Sequence, residues 1–95
     1  MTEQQHILSC LIEECAEVQK EVTKILRFGL DDGYKGKLNS KTLNEELNDL
    51  MGVIDMLPDF GIKVDITDEA MEAKEKKVKK FIEYAYKVGT ITKNK

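Results

Sequence analysis

Proline, tryptophan and histidine are scarce in this sequence: its 95 residues include one proline, one histidine and no tryptophan. Little proline together with much leucine, glutamate and lysine favours helices over strands. No segment reaches the roughly 18 consecutive apolar residues that a membrane span needs. The polar stretch from Met1 to His6 also lacks the layout of a signal peptide. We therefore expect a cytoplasmic protein without a membrane partner.

Charge of one sign is not in large excess either, because 15 basic and 18 acidic residues leave a net charge of −3. A negative chain has no general attraction to nucleic acid, and the lysines between Lys74 and Lys80 would point in different directions on a helix. We expect no nucleic-acid partner. Cys10 and Cys15 lie five positions apart in one predicted helix, where they cannot bridge each other, and this fits a reducing compartment.

The chain length suits a single domain over residues 1–95, and the spacing of apolar residues predicts an all-α fold with three main helices. Each helix is bounded by a capping residue, a glycine or a proline. The predicted helices are about Gln4 to Arg27, Asn39 or Ser40 to about Leu57, and Thr67, as the N-cap, to about Val88. The segments Leu30 to Leu38 and Asp59 to Ile66 are predicted to be loops.

The second predicted helix is apolar over more than half of its circumference. The residues of this arc are Leu43, Leu47, Leu50, Met51, Val53, Ile54, Met56 and Leu57. Two neighbouring helices from one chain do not cover so wide an arc. We therefore expect a homo-oligomeric helical bundle, either a homodimer or a homotetramer. A monomer with a flat, exposed apolar patch is the alternative.

Carboxylates occupy positions where apolar residues are expected. Glu46 falls in the middle of the apolar arc of helix 2, and Asp49 lies at the edge of that arc one turn later. Glu14, Glu17 and Glu21 follow one border of the apolar arc of helix 1. A carboxylate in an apolar stripe is costly unless it is paired, protonated or metal-bound. The ordinary interpretations are a salt bridge to a lysine for the first set and a solvated helix edge for the second.

The two acidic sets can also form one site. If helices 1 and 2 pack antiparallel through their apolar faces, Glu14 and Glu17 converge with Glu46 and Asp49. Four carboxylates at such close range repel each other unless a cation lies among them. Oxygen ligands without nearby sulfur or imidazole suit Mg²⁺ or Mn²⁺, and Mg²⁺ often shares its coordination with substrate phosphates. The pattern therefore indicates phosphate chemistry.

Lysines add a matching irregularity in helix 3. Lys74 falls inside its apolar arc, where it can neutralise Glu46 or contact a phosphate, and Lys77 lies at the edge of the arc. Most other lysines of this helix project to the polar side. A structural salt bridge is the alternative for Lys74, and a solvated position with a buried aliphatic stem is the alternative for Lys77.

Two acidic motifs stand in a familiar order: residues 13–17 read EExxE, residues 46–49 read ExxD, and 28 residues lie between them. This pattern resembles the signature of the MazG-like, all-α nucleoside triphosphate pyrophosphohydrolases. The similarity extends over nearly the whole chain to small MazG-like proteins of phages and bacteria, and includes the RFG sequence that ends helix 1. The histidine-containing pattern of phosphoribosyl-ATP pyrophosphohydrolases is missing after Glu46, so a role in histidine biosynthesis is disfavoured.

The resemblance implies Mg²⁺-dependent hydrolysis of a nucleoside triphosphate, preferably a dNTP, to the monophosphate and pyrophosphate, with Mn²⁺ as a possible substitute metal. A water held by the metal or by a carboxylate would attack the α–β linkage of the triphosphate. By position, the metal ligands and catalytic carboxylates would be Glu14, Glu17, Glu46 and Asp49, with Glu13 as a catalytic neighbour. Candidates for phosphate contacts are Lys24, Arg27, Lys74 and Lys77.

Other functional classes have less support. A ferritin-like di-iron centre needs two Glu-x-x-His pairs, which the single histidine, His6, cannot supply. The glycine-rich phosphate-binding motif of Walker-type ATPases is missing as well. A non-catalytic protein that keeps the same fold and binds nucleotides or a helical partner is the alternative that stays open, and catalytic activity separates the two.

Overall fold

Three α-helices contain most of residues 1–92, the part of the chain that the computed structural model describes. They are α1 (Glu3–Phe28), α2 (Asn39–Met56) and α3 (Asp68–Val88). Each lies within one or two residues of its predicted bounds, so the expectation of a mainly helical chain with three helices is confirmed. The chain divides into two compact units, Met1–Val64 and Asp65–Lys95.

Helix α1 begins at a reciprocal cap. The Thr2 side chain accepts a hydrogen bond from the Gln5 N–H at 3.1 Å, and the Thr2 N–H donates to Gln5 Oε1 at 2.9 Å. These two hydrogen bonds satisfy the backbone N–H groups of Thr2 and Gln5 at the helix start, where N–H groups lack intrahelical acceptors. The helix ends before Gly29, whose φ of 94° lies in a region that disfavours other residues.

The segment between α1 and α2 is not the plain loop that was predicted. It contains a two-stranded antiparallel hairpin of β1 (Gly33–Tyr34) and β2 (Lys37–Leu38). The turn residues Lys35 and Gly36 have φ values of 53° and 79°, as in the tight turns that match the twist of paired strands. A Cβ at position 33 would collide with the Lys37 carbonyl, so the hairpin requires glycine there.

The start of α2 also differs from the prediction. Leu38 occupies the N-cap position, and neither Asn39 nor Ser40 caps the helix with its side chain. Their backbone N–H groups donate instead to carbonyl groups of the preceding linker, at 2.7 and 3.1 Å. The linker backbone therefore satisfies two of the donors of the first turn, which lack intrahelical acceptors.

A 3₁₀ turn, Leu57–Phe60, follows α2 directly. The first residues of the predicted loop from Asp59 to Ile66 therefore belong to this turn. Pro58 lacks a backbone N–H group and is tolerated at the start of such a turn. Gly61 closes the turn with a φ of 81°.

Helices α1 and α2 pack against each other in the first unit with opposite directions. Near the start of α1, Gln4 Nε2 donates to the Phe60 carbonyl just beyond α2 at 2.8 Å. At the other end, Asn39 Nδ2 at the start of α2 donates to the Gly29 carbonyl just beyond α1 at 3.0 Å. Ile7 and Leu57 are the buried apolar residues of the described chain.

Helix α3 makes up most of the second unit and has the predicted ends. The Thr67 side chain accepts from the Ala70 N–H at 3.1 Å, and Gly89 ends the helix with a φ of 80°. The helix contains no buried residue, and Lys74 and Lys77 are exposed. Within residues 1–92, none of the helices combines the length and the apolar character that crossing a membrane demands.

Candidate metal centre

Three carboxylates converge between α1 and α2. Glu14 of α1 and Glu46 and Asp49 of α2 each offer an oxygen atom, and these oxygens lie within 4.8 Å of one another. Glu14 and Glu46 are half-buried, whereas Asp49 is exposed. The antiparallel packing of the two helices is what places residues 14 and 46 side by side.

Glu17 lies close to this group without joining it. Its side chain is half-buried one turn after Glu14, and its charge acts on Glu46. The sequence predicted a convergence of four carboxylates, and the described residues contain a group of three with Glu17 beside it. Glu13 is exposed, as expected for a residue that points away from the apolar face of α1.

The surroundings of Glu46 disfavour its charged form. Partial burial raises the pKa of its carboxyl above the ordinary glutamate value, and the negative charges of Asp49, Glu17, Glu14 and Glu21 raise it further. Burial and like charges both favour the protonated form of an acid. A bound cation reverses this tendency because it favours the carboxylate. The cluster therefore contains a repulsion that a positive ion would relieve.

The donor set fits a hard divalent cation. Carboxylate oxygens from an i, i+3 pair on α2 and from one residue of α1 supply ligands on two sides, and no cysteine or histidine belongs to this group. Mg²⁺ and Mn²⁺ prefer oxygen ligands, and Mg²⁺ retains several waters when few protein ligands surround it. Glu14, Glu46 and Asp49 are therefore the residues that would hold such an ion.

Glu21 is the acidic residue that sequence reasoning placed on a solvated border and that the structure buries. Its side chain is 3% exposed and pairs with Lys24 Nζ at 3.1 Å through Oε1, while Oε2 has no hydrogen-bond partner. Lys24 is itself 39% exposed, so water weakens its attraction to the buried carboxylate. Removing a carboxylate from water costs on the order of several kcal/mol. Lys24 therefore offsets only part of this cost.

The basic candidates are distributed over both units. Lys24 lies on α1 beside Glu21 and is 39% exposed, and Arg27 is exposed in the last turn of α1. Lys74 and Lys77 are exposed on α3 in the second unit. The second ion pair of the described residues joins Lys37 to Glu45 at 2.6 Å on the exposed surface.

Comparison with known proteins gave no family assignment: family models, curated proteins and solved structures produced no match to this chain. The MazG-like resemblance stays a prediction from the two acidic motifs.

Proposed function

We propose that this protein binds Mg²⁺, with Mn²⁺ as a substitute, and hydrolyses a nucleoside triphosphate to the monophosphate and pyrophosphate in the manner of MazG-like enzymes. The convergence of Glu14, Glu46 and Asp49 from two helices carries the proposal. These are three of the four metal ligands that the MazG-like resemblance implies, and residues of two motifs that lie far apart in sequence meet in one place.

The carboxylates have separable roles in this proposal. Glu14, Glu46 and Asp49 hold the cation, which when bound would offset triphosphate charge and lower the pKa of water. Glu17 is half-buried next to this group and does not belong to it, so its carboxylate is left to accept a proton from the attacking water. Glu13, which precedes Glu14 and is exposed, is a weaker candidate for accepting this proton.

Positive side chains are needed because a triphosphate and a carboxylate cluster repel each other. Lys24 and Arg27 follow the acidic residues along α1 and are open to solvent. We assign them to contacts with phosphate oxygens, for which the planar guanidinium of Arg27 is well suited. Lys74 and Lys77, exposed on α3, are further candidates for the same contacts.

We also propose that the protein works as a homodimer or homotetramer. Leu47, Met51 and Met56 of α2 stay 38%, 54% and 44% exposed, and Phe81 of α3 stays 60% exposed. Large apolar side chains exposed in this number favour association. A second copy of the chain would cover the wide apolar arc of α2.

The decisive experiment measures nucleoside monophosphate and pyrophosphate release from a panel of NTPs and dNTPs, with Mg²⁺ and with excess chelator. Wild type, Glu46→Gln and the matched control Glu45→Gln are compared. Glu45 neighbours Glu46 in sequence but pairs with Lys37 on the surface, so its loss should have little effect. The proposed activity is supported if pyrophosphate release depends on the cation, is lost in Glu46→Gln and is retained in Glu45→Gln.

Two other outcomes oppose the proposal. If wild type and Glu46→Gln release pyrophosphate equally, the carboxylate cluster is not the active site. If folded protein binds Mg²⁺ and nucleotide but never releases pyrophosphate, the chain is a nucleotide-binding protein. Ligand-induced shifts in the unfolding temperature would detect that binding.

A further inference from the structure

We propose that this chain forms a symmetric dimer through one side of the α1–α2 pair, which packs against the same side of a second copy. We call this side the open face, and its large apolar residues are Leu8, Ile12, Val22 and Leu26 of α1 with Leu47 and Met51 of α2. The inference rests on the self-association proposed above, whose surface and geometry it names, and it is independent of the proposed hydrolysis.

A stripe of exposed residues on α1 is the first observation behind this inference. Residues of α1 at intervals of four and three positions are buried or half-buried where the helix packs on α2: Ile7, Leu11, Glu14, Val18, Glu21 and Ile25. The residue after each of them is exposed, which gives a second series with the same spacing: Leu8, Ile12, Cys15, Gln19, Val22 and Leu26. This spacing is that of a contact seam between two helices. Ile12 and Leu26 are 71% and 83% exposed, so α1 keeps a seam that α2 does not cover.

Leu47 and Met51 continue the stripe on α2. Each follows a half-buried residue, Glu46 or Leu50, by one position. One step forward along a helix turns the side chain by about 100°. Because α1 and α2 run in opposite directions, this step turns the side chains of both helices toward the same side of the pair. The exposed stripes of α1 and α2 therefore form one surface.

The carboxylate group lies on the other side of the pair, which is one step back from the packed positions. Asp49 precedes Leu50 there and belongs to the carboxylate group. Cys10 and Met56 also precede packed residues, and together they line one hollow. The open face is thus separate from the candidate metal centre, and covering it leaves the carboxylates of both copies open to a nucleotide.

Charge selects the partner of the open face. None of its six large apolar residues carries a charge, and Cys15 and Gln19 of the same stripe are uncharged as well. Burying a charge against an apolar surface is costly unless the charge has a partner. The apolar arc of α3 contains Lys74, whose ammonium group would find no acid on the open face. The open face of a second copy brings no such charge, and identical patches pair around a twofold axis.

The size of the open face also suits a stable dimer. The 26 residues of α1 give it a length of about 39 Å, and two helices side by side give it a width of about 20 Å. Each copy would bury on the order of 700 Å², because α2 is shorter than α1. Standard interfaces of stable complexes bury about 800 Å² per partner, so the open face is large enough for a dimer without help from the second unit.

The test compares two methionines of α2 by sedimentation velocity of the full-length chain over a range of protein concentrations. Met51→Glu places a carboxylate on the open face, and it should raise the dimer dissociation constant at least about 100-fold because each copy would bury an unpaired charge. Met56→Glu is the matched control, since Met56 is similarly exposed on the same helix but lies on the other side of the pair. It should dimerise as wild type does.

Three outcomes would overturn the inference. Equal dissociation constants for the two methionine variants would place the interface elsewhere. Loss of the dimer in Phe81→Glu but not in Met51→Glu would assign the contact to α3, where Phe81 is exposed. A wild-type chain that stays monomeric at every concentration would overturn the proposed self-association as well, and the proposed hydrolysis would keep its own test.

A second measurement covers the case in which Met51→Glu does not fold. Cys15 lies beside Ile12 on the open face and Cys10 lies on the other side, so the single-cysteine variants Cys10→Ser and Cys15→Ser report on the two sides separately. Alkylation of Cys15 by iodoacetamide should slow as the protein concentration rises through the dimerisation range, whereas the rate constant for Cys10 should not change. A rate constant for Cys15 that is the same in monomer and dimer would mean that another surface forms the dimer, and the inference would be wrong.

Discussion

The two units of this chain differ in the burial of a charged residue that lies inside an apolar helix arc. In the first unit, α1 packs along α2 and brings Glu14 to Glu46, which becomes half-buried among other carboxylates. In the second unit, Lys74 occupies a comparable position on α3 and is exposed. Helical periodicity therefore identifies an unusual charge, whereas a packed neighbouring helix determines whether that charge is buried.

The largest effect should come from removing a charge from the acidic group of the first unit. Glu14→Gln should lower pyrophosphate release at least about 100-fold, because the variant loses a carboxylate that would hold the cation. The control variant Glu3→Gln on the same helix should retain most of the activity, since Glu3 is exposed in the first turn of α1. Equal losses in steady-state assays of the two variants would contradict the assignment of the site to the packed face of α1.

Packing offers the next contrast. Ile7 of the first unit is 5% exposed, and its replacement by alanine should lower the free energy of unfolding by about 2 kcal/mol. Ile82→Ala in α3 makes the same chemical change at a residue that is 42% exposed, and should cost less than about 1 kcal/mol in dilute protein.

Protein concentration makes this contrast a test of self-association. Urea unfolding should be measured at several protein concentrations. The loss in unfolding free energy should stay constant for Ile7→Ala and should grow with protein concentration for Ile82→Ala, because association stabilises the folded chain by mass action. A cost of Ile82→Ala that is independent of concentration would argue against an oligomer that covers α3.

Removing a charge from the second unit should have a smaller and different effect. Lys74→Gln should raise KM for the triphosphate about tenfold, the scale of one hydrogen bond to a charged group, while kcat and Mn²⁺ affinity stay unchanged. Lys76→Gln on the polar side of α3 is the control. If both variants have wild-type kinetics, Lys74 is an ordinary solvated lysine and contributes nothing to phosphate binding.

The smallest expected effect is a dependence of stability on pH in the presence of chelator. The ordinary pKa of 4.5 applies to Glu46 in the unfolded chain, whereas burial and its acidic neighbours raise the pKa in the folded state. As pH rises from about 4.5 through the raised value, the folded state keeps the proton longer, so the free energy of unfolding falls. Urea titrations should show a shallower fall for Glu46→Gln, and identical slopes would refute this origin.

Much of the helical structure follows from local patterns. Thr2 and Thr67 form side-chain caps at the starts of α1 and α3, and Gly29 and Gly89 end these helices with positive φ. Such interactions involve residues a few positions apart, so a single sequence reveals them. The hairpin was missed because strands of two residues have no measurable alternation, and Lys35-Gly36 is a less obvious turn than Asn-Gly.

The carboxylate site could likewise be predicted from the sequence only in part. Periodicity and motif spacing selected Glu14, Glu46 and Asp49, because each lies at a definite angle on its own helix and antiparallel neighbours bring such faces together. Which carboxylate oxygens come closest together could not be foreseen, since atomic distances between helices depend on their offset along the common axis.

By itself, the sequence determined the three helices, their ends and the charges that interrupt their apolar arcs, all of which depend on interactions within a few turns. Tertiary structure alone decided that the linker backbone starts α2 and that Glu21 is buried with one oxygen unpaired. Burial is the physical reason for the difference. Whether a border residue loses water depends on chain segments that pack over it from elsewhere in the fold.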